Sequence, residues 1–427
     1  MHLGERLGPL EEKPFRLLWL GQTASATGDA LIPVALAFAV LTDLDGSAAQ
    51  LGLVLASFTV MRVAFILVGG VWADRLPRRR VMLACDLVRG AVDALTAVLL
   101  LTGAAEVWML ILTAGLFGAA SAFFVPASSG LIPDTISPGR LQQANALIGV
   151  SRNGTEIFGP ALSGLVIATA GTGWVFAIDS ASFAFSAAFL LALHLRTESR
   201  PAQRQTFLRD LARGWYEVRS RLWLWTSFIA FALSNLAIAV FVVLGPLVMR
   251  DELGGARDWG LALTISAIGA ALGSAAALKL RPRRPLIPGF LALGCLGLMN
   301  VSLVPPFPAV VVGVAAGLGF GGVALFNALW ETVLQQNVPR EALSRVSSYD
   351  WLVSLVIMPV GFALAGPAAN AIGLDATLLI AAAIGVGVNL AVLAIPDVRA
   401  VRATPSLPPV SVAEGESDAP EPLARLP

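Results

Sequence analysis

Apolar runs of roughly 20 residues, each long enough to cross a hydrocarbon core of about 30 Å as a helix, recur along this chain with short polar loops between them. A backbone inside lipid must satisfy its own hydrogen bonds, which leaves helices or a closed barrel. Barrel strands would read as short alternating segments, and none are present. Only 13% of the residues are charged, where a soluble protein would carry about a quarter, and the mean hydropathy is +0.77. The expectation is an all-α polytopic membrane protein with twelve transmembrane helices. The spans are read at 15–40, 50–73, 80–102, 106–132, 141–170, 173–195, 223–249, 259–280, 286–304, 308–332, 342–369 and 374–395.

The placement of charge matters more than its net value of +1, which implies no nucleic-acid partner. With the N-terminus taken as inside, 24 Lys and Arg fall in inside segments and 2, Arg250 and Arg257, in outside loops. This asymmetry places both termini in the cytoplasm of a cell-membrane protein. The first 14 residues are polar and the first apolar run is a full span, so no cleavable signal is read. Cys85 and Cys295 lie inside apolar runs and read as free thiols. His2 and His194 are too few for a metal cluster, and neither a cofactor nor a metal is expected. No phosphate-binding loop and no nucleophile with a histidine base is visible, so an enzyme is not expected.

The two halves repeat. Leu131-Ile-Pro-Asp-Thr-Ile-Ser-Pro-Gly-Arg-Leu141 precedes span five as Leu334-Gln-Gln-Asn-Val-Pro-Arg-Glu-Ala-Leu343 precedes span eleven. The organisation read from this is a cytoplasmic segment 1–14, a six-helix bundle 15–195, a basic linker 196–222, a second bundle 223–395 and a disordered tail 396–427. Parallel halves joined by a basic linker are a transporter architecture, with the substrate between them near the midplane. A monomer is expected.

Between spans two and three stands Gly69-Gly70-Val-Trp-Ala-Asp74-Arg75-Leu-Pro77-Arg78-Arg79-Arg80. From Gly70 to Arg79 it resembles the loop signature of the major facilitator superfamily, with Pro77 where that family usually has Gly. Further likeness lies in Phe15–Gln22, Ser25 with Gly28-Asp29, Asp86-Leu-Val-Arg89 and Gly214-Trp215. Within the superfamily the chain is similar to twelve-span drug and macrolide exporters and to enterobactin-type siderophore exporters. The resemblance implies that Gly70, Asp74, Arg75, Arg78 and Arg79 gate the conformational change by linking half one to half two, with Asp134 a further partner. Gly159-Pro160-Ala-Leu-Ser163-Gly164 in span five resembles the family's antiporter motif, Ser163 replacing one glycine. Physically it is a thin, bendable helix face. Ala114 stands where proton-linked relatives often carry Arg, so coupling through that arginine is excluded.

A charge at mid-bilayer costs roughly 2.5–3.5 kcal/mol even on lenient scales, so each one inside a span needs a partner or a purpose. Asp29 lies half way along span one with no basic residue one turn away, and it is the first candidate for proton coupling or for binding a cationic substrate. Asp86, Arg89 and Asp93 share a face of span three. Helical rise puts Arg62 at the depth of Asp93, so the expected ion pairs are Arg62–Asp93 and Asp86–Arg89. Arg152 and Glu156, i and i+4, are expected to neutralise each other, and either could face the cavity. Asp179, Glu331 and Asp350 read as structural or wet. Asn235 and Asn327 are candidates for hydrogen bonds to substrate. Trp19, Trp108, Trp174, Trp223, Trp225 and Trp259 read as an interfacial belt, and Gly313, Gly317 and Gly321 as a close helix contact.

The expected function is a secondary transporter exporting amphipathic small molecules, drug-like compounds, in exchange for protons. A dedicated siderophore or natural-product exporter and a non-transporting membrane sensor or scaffold are the alternatives.

Overall fold

A computed structural model describes residues 8–73, 76–193, 218–305 and 307–402. Twelve helical units carry the chain back and forth: α1 (Lys13–Asp43), α2 (Ala48–Ala73), α3 (Arg78–Leu101), α4 (Val107–Thr135), α5 (Leu141–Ala170), α6 (Thr172–Ala192), α7 (Leu222–Glu252), α8 (Gly255–Lys279), α9 (Leu286–Val301), α10 (Ala309–Asn337), α11 (Arg340–Ile372) and α12 (Leu374–Ala394). A single turn, α13 (Pro396–Ala400), follows. The expected spans coincide with these units to within a few residues at most ends. Eight, among the described residues, contain a stretch of 18 residues apolar enough to cross a membrane. α3 and α5 carry charges within the span, and α9 is broken at Gly294–Cys295.

α1 is not one rod. Its first segment ends at Asp29, a second runs Ile32–Phe38, and a wider turn continues to Asp43. Pro33 cannot donate to the preceding turn, and the chain bridges the break with Leu31 N–H to Gly28 O at 2.9 Å. The first intramembrane acid therefore sits at a bend.

Within half one, α1 packs on α6, α3 on α6 and α2 on α4. Within half two, α8 packs along α10 and α11 along α7. The glycine repeat of α10 does serve a close contact: a Cβ on Gly313 would crowd Ala262, Gly317 packs against Gly269, and Gly321 against Gly269 and Gly273 of α8. Buried amides tie half two together, with Asn300 Nδ2 donating to Ala237 O (3.2 Å) and Asn389 Nδ2 to Ser234 Oγ (3.0 Å).

The halves meet toward the face opposite the arginine-rich loops. There α2 crosses α11 so closely that a methyl on Gly52 would overlap Phe362 O and one on Gly366 would overlap Ala49 N. α5 crosses α8 with Gly260 against Pro160 O. Arg250 donates to Leu41 O across the same seam. Toward the basic face the helices part. On α8, Gly260 and Thr264 are covered by α5, but Ile268 and Leu272, the next positions on that stripe, are 44% and 66% exposed. On α5, Pro160 and Gly164 are covered, and Glu156 and Arg152 are open. A cleft between the halves widens toward the basic loops.

Three expectations are corrected here. Residues 396–402 are not disordered: α13 packs on α7, α9 and α12, with Val398 fully buried, because an apolar face remains after Pro396. Residues 403–427 and most of the linker, 196–217, lie outside the described residues. Trp259 is not in a belt but buried against Phe241 and Gly245, and Trp223 packs edge-on against Trp330 (5.8 Å between centroids).

Candidate functional site

Half one presents charge to the cleft. Asp29, at the bend of α1, is 38% exposed and its Oδ2 lies 3.5 Å from Arg89 Nη1. Arg62 of α2 and Arg152 of α5 are within electrostatic reach of it. Arg152 and Glu156 pair at 3.0 Å, with side chains 74% and 56% exposed. By helical rise Arg152 is roughly 17 Å into α5, and charges at that depth do not face lipid. They line the cleft.

Behind this surface lies a buried cluster. Arg89 Nη2 bonds Asp86 Oδ1 at 2.6 Å, and Ser186 Oγ donates to Asp86 Oδ2 at 2.7 Å. The guanidinium is held between the rings of Phe124 and Phe183, 4.2 and 4.3 Å from their centroids. The expected Asp86–Arg89 pair is present. The expected Arg62–Asp93 pair is not. Asp93 turns away from α2 to meet Asp179 of α6, and Arg62 lies beside the Phe58 ring, 6.0 Å from its centroid. Equal depth on neighbouring helices does not fix rotation about their axes, and depth alone suggested that pair. Asp179, read as structural or wet, is fully buried at the centre of the cluster. Asp29 has a basic partner after all, supplied by α3 rather than by its own helix.

Half two presents a pocket of about 300 Å³ opening into the cleft. Asn235 and Asn327 both line it, as expected. Sequence reasoning missed the rest of its character. Trp330, Phe231 and Phe326 form an aromatic wall, with Phe231–Trp330 and Phe231–Phe326 centroids 4.8 and 4.9 Å apart. Glu331 and Asp350 also line it, and Trp330 Nε1 donates to Asp350 Oδ2 at 3.0 Å. Among the described residues, no Lys or Arg lines the pocket. Trp330 and Glu331 are adjacent at the place where one helix changes from apolar to polar, and that was the available signal.

A family model for the Major Facilitator Superfamily matches residues 18–354. The chain belongs to the major facilitator superfamily. Among curated relatives, the superfamily member is 29% identical over 408 residues to the "Multidrug efflux pump Tap" of Mycobacterium tuberculosis, covering 92% of this chain and 96% of that protein. It is 23% identical over 385 residues to "Macrolide efflux protein A" of Streptococcus pyogenes, covering 87% and 94%. The nucleoside transporter NupG shares the fold, with a TM-score of 0.70 at 14% identity over 90% of this chain and 99% of that one.

Two motifs of the facilitator can be placed. Arg78 Nη1 donates to Gly130 O at 2.5 Å and lies 3.7 Å from Asp134 Oδ2. Arg79 donates to Leu190 O and Leu191 O at 2.6 and 2.7 Å. These contacts stay within half one, where a link to half two was expected. Asp74, Arg75 and the surroundings of Gly70 lie outside the described residues. The antiporter-like motif sits at the seam: a Cβ on Gly159 would be 2.5 Å from Ala30 Cβ, and one on Gly164 would be 2.7 Å from Ala256 O. Ser163 Oγ donates to Leu31 O at 2.7 Å, so the residue that replaces the motif's glycine binds the bend of α1. Where Pro160 thins the helix, Ala161 N–H bonds Thr264 Oγ1 of half two at 3.1 Å.

Proposed function

We propose that the facilitator exports amphipathic cations, protonated amines or quaternary nitrogen cations carrying an aromatic or aliphatic body, from the cytoplasm in exchange for protons. The observation that carries this reading is the half-two pocket, in which Trp330, Phe231 and Phe326 stand beside Glu331 and Asp350 with no basic side chain among the described lining residues. Aromatic faces and carboxylates both attract a desolvated cation. An anionic cargo such as an iron-chelating catecholate would be repelled by the same acids. Likeness to a multidrug pump and a macrolide exporter supports export as the direction.

In this reading the arginine-rich face is cytoplasmic, and the conformation is open to the cytoplasm and sealed outside. Residues 15–195 and 223–395 rock about the linker 196–222. Asn235 and Asn327 hydrogen-bond cargo, and Asp29 exchanges its Arg89 partner for a proton during the cycle. Gly159, Pro160 and Gly164 form the bearing surface of the rocking motion. When the cleft closes, Gly70, Asp74, Arg75, Arg78, Arg79 and Asp134 come to face half two and gate the cytoplasmic side. The proton gradient supplies about 2.3 kcal/mol per charge per 100 mV plus its pH component.

The test is ethidium accumulation in efflux-deficient cells expressing wild type, Asp29→Asn or Asp350→Asn, with and without a protonophore. Wild type should lower accumulation, and the protonophore should reverse this. Asp350→Asn should raise the apparent KM for ethidium about tenfold, the effect of losing ~1.4 kcal/mol of binding, with little change for a neutral cargo. Asp29→Asn should lower the maximal rate. Export that is indifferent to the protonophore would refute the exchange, and an unchanged KM in Asp350→Asn would refute the pocket.

A further inference from the structure

The acids of half one outnumber its buried cation. Arg89 serves Asp86 at 2.6 Å and reaches Asp29 at 3.5 Å, which leaves Asp93 and Asp179 without a cationic partner of their own. They are 3% and 0% exposed, and their carboxyls come within hydrogen-bonding reach of each other between α3 and α6. Two carboxyl groups buried that close together are not both ionised, because like charges repel strongly where water cannot reach them, so the pair shares at least one proton. The Oδ2 atom of each is buried with no hydrogen-bond partner. A buried oxygen in that state costs free energy unless a proton completes it. Arg89 Nε is likewise buried and unpartnered, so the cluster has spare capacity on both sides of its charge balance.

The pair also touches the element that bends. Gly28 of α1 lies directly on Asp179 and Ser182, so closely that a Cβ at Gly28 would overlap Asp179 Oδ1. Ser182 Oγ donates to Asp179 Oδ1 at 3.1 Å. The next residue in the chain is Asp29, which faces both the cleft and Arg89. Beyond the bend, Leu31 is held by Ser163 of α5, whose neighbours bear on half two. The charged and polar groups facing the pair are therefore Asp29 from α1, Arg89 from α3 and Ser182 from α6.

We infer that the Asp93–Asp179 carboxyl pair is a second proton-binding site, loaded and unloaded through Asp29 and coupled to the bend of α1 by the Gly28 contact. This rests on the exchange proposed above. When the pair holds two protons it is neutral, and Arg89 is left to Asp86 and Asp29. When one proton leaves through Asp29 to the cleft, the pair becomes an anion that competes for Arg89. Asp29 is then released to bind a proton or a cationic cargo. No bond other than O–H is made or broken, and the proton passes from carboxyl to carboxyl to water.

The experiment is infrared difference spectroscopy on the purified full-length protein between acid and alkaline buffer, reading the C=O stretch of protonated carboxyls. Wild type should show a titrating band that is lost in both Asp93→Asn and Asp179→Asn, and shifted in frequency, not lost, in Asp93→Glu, which keeps the acid. A titrating band unchanged by either asparagine substitution would overturn the inference. This readout needs no transport, so it stands whether or not ethidium proves to be a cargo. In proteoliposomes, the Asp93→Asn/Asp179→Asn protein should equilibrate ethidium down its gradient but lose uphill accumulation driven by an imposed pH gradient. Undiminished uphill accumulation would also overturn it.

Discussion

Replacing Arg89 with methionine should strip the facilitator of most of its thermal stability. The guanidinium is 4% exposed, bonds Asp86 at 2.6 Å, reaches Asp29 and fills the space between Phe124 and Phe183. Methionine replaces much of the volume but none of the charge. Asp86, whose side chain is fully buried, then keeps only the Ser186 hydroxyl. Breaking one side of a buried ion pair costs about 3–5 kcal/mol, a large part of the 5–15 kcal/mol that typically holds a fold. The pair Arg89→Met/Asp86→Asn should recover most of the loss, since asparagine removes the orphaned charge and still accepts from Ser186. Thermal unfolding of detergent-extracted protein, followed by size-exclusion fluorescence, measures both. Equal melting of wild type and Arg89→Met would mean the bridge contributes nothing.

The second large effect is conformational. Gly52→Leu should leave a folded protein that cannot seal its outer side. Its side chain would drive into Phe362 O, where two helices cross backbone to backbone. Helix backbones at such a seam have no room to yield by a rotamer change. The outer-sealed state is therefore penalised, and the population moves to the state closed at the basic face. Transport should be lost, and a cysteine at Ile268, exposed in the cleft, should become protected from an impermeant maleimide applied at the basic side, with Cys85 and Cys295 replaced by alanine. Gly387→Leu, at a glycine with open space beside it, is the control and should label as wild type does. Unaltered labelling in Gly52→Leu would show that the α2–α11 crossing does not set the conformation.

The helices were legible in the sequence because lipid imposes one rule on every span: apolar length between polar ends. The Asp86–Arg89 and Arg152–Glu156 pairs were legible for a local reason, since neighbours at i+3 and i+4 on one helix must meet. Contacts between helices depend on rotation about each axis, which hydropathy does not encode when the surroundings are apolar on every side. That is why Asp93 was given to Arg62 rather than to Asp179. It is also why Phe231 and Trp330 looked no different from aromatic residues facing lipid. Asp29 was singled out as a charge without a local partner, and its real partner lies on a helix 60 residues further on. The gating motif was legible from its residue pattern, while in this conformation Arg78 and Arg79 bond within half one, to partners on α4 and α6 that the pattern does not name.

The buried cluster of half one also constrains how the protein is made. Its members come from α1, α3 and α6, and the Asp86–Ser186 bond spans 100 residues. α3 therefore leaves the ribosome with Asp86, Arg89 and Asp93 inside its span and reaches lipid before Asp179 and Ser186 of α6 exist. On insertion scales each such residue opposes partitioning by roughly 2.5–3.5 kcal/mol. Membrane integration of α3 should wait at the translocon until α6 emerges, so that half one enters the bilayer as a set. All its charge partners precede the linker, so the first half of the chain can finish its own assembly before the second has been translated.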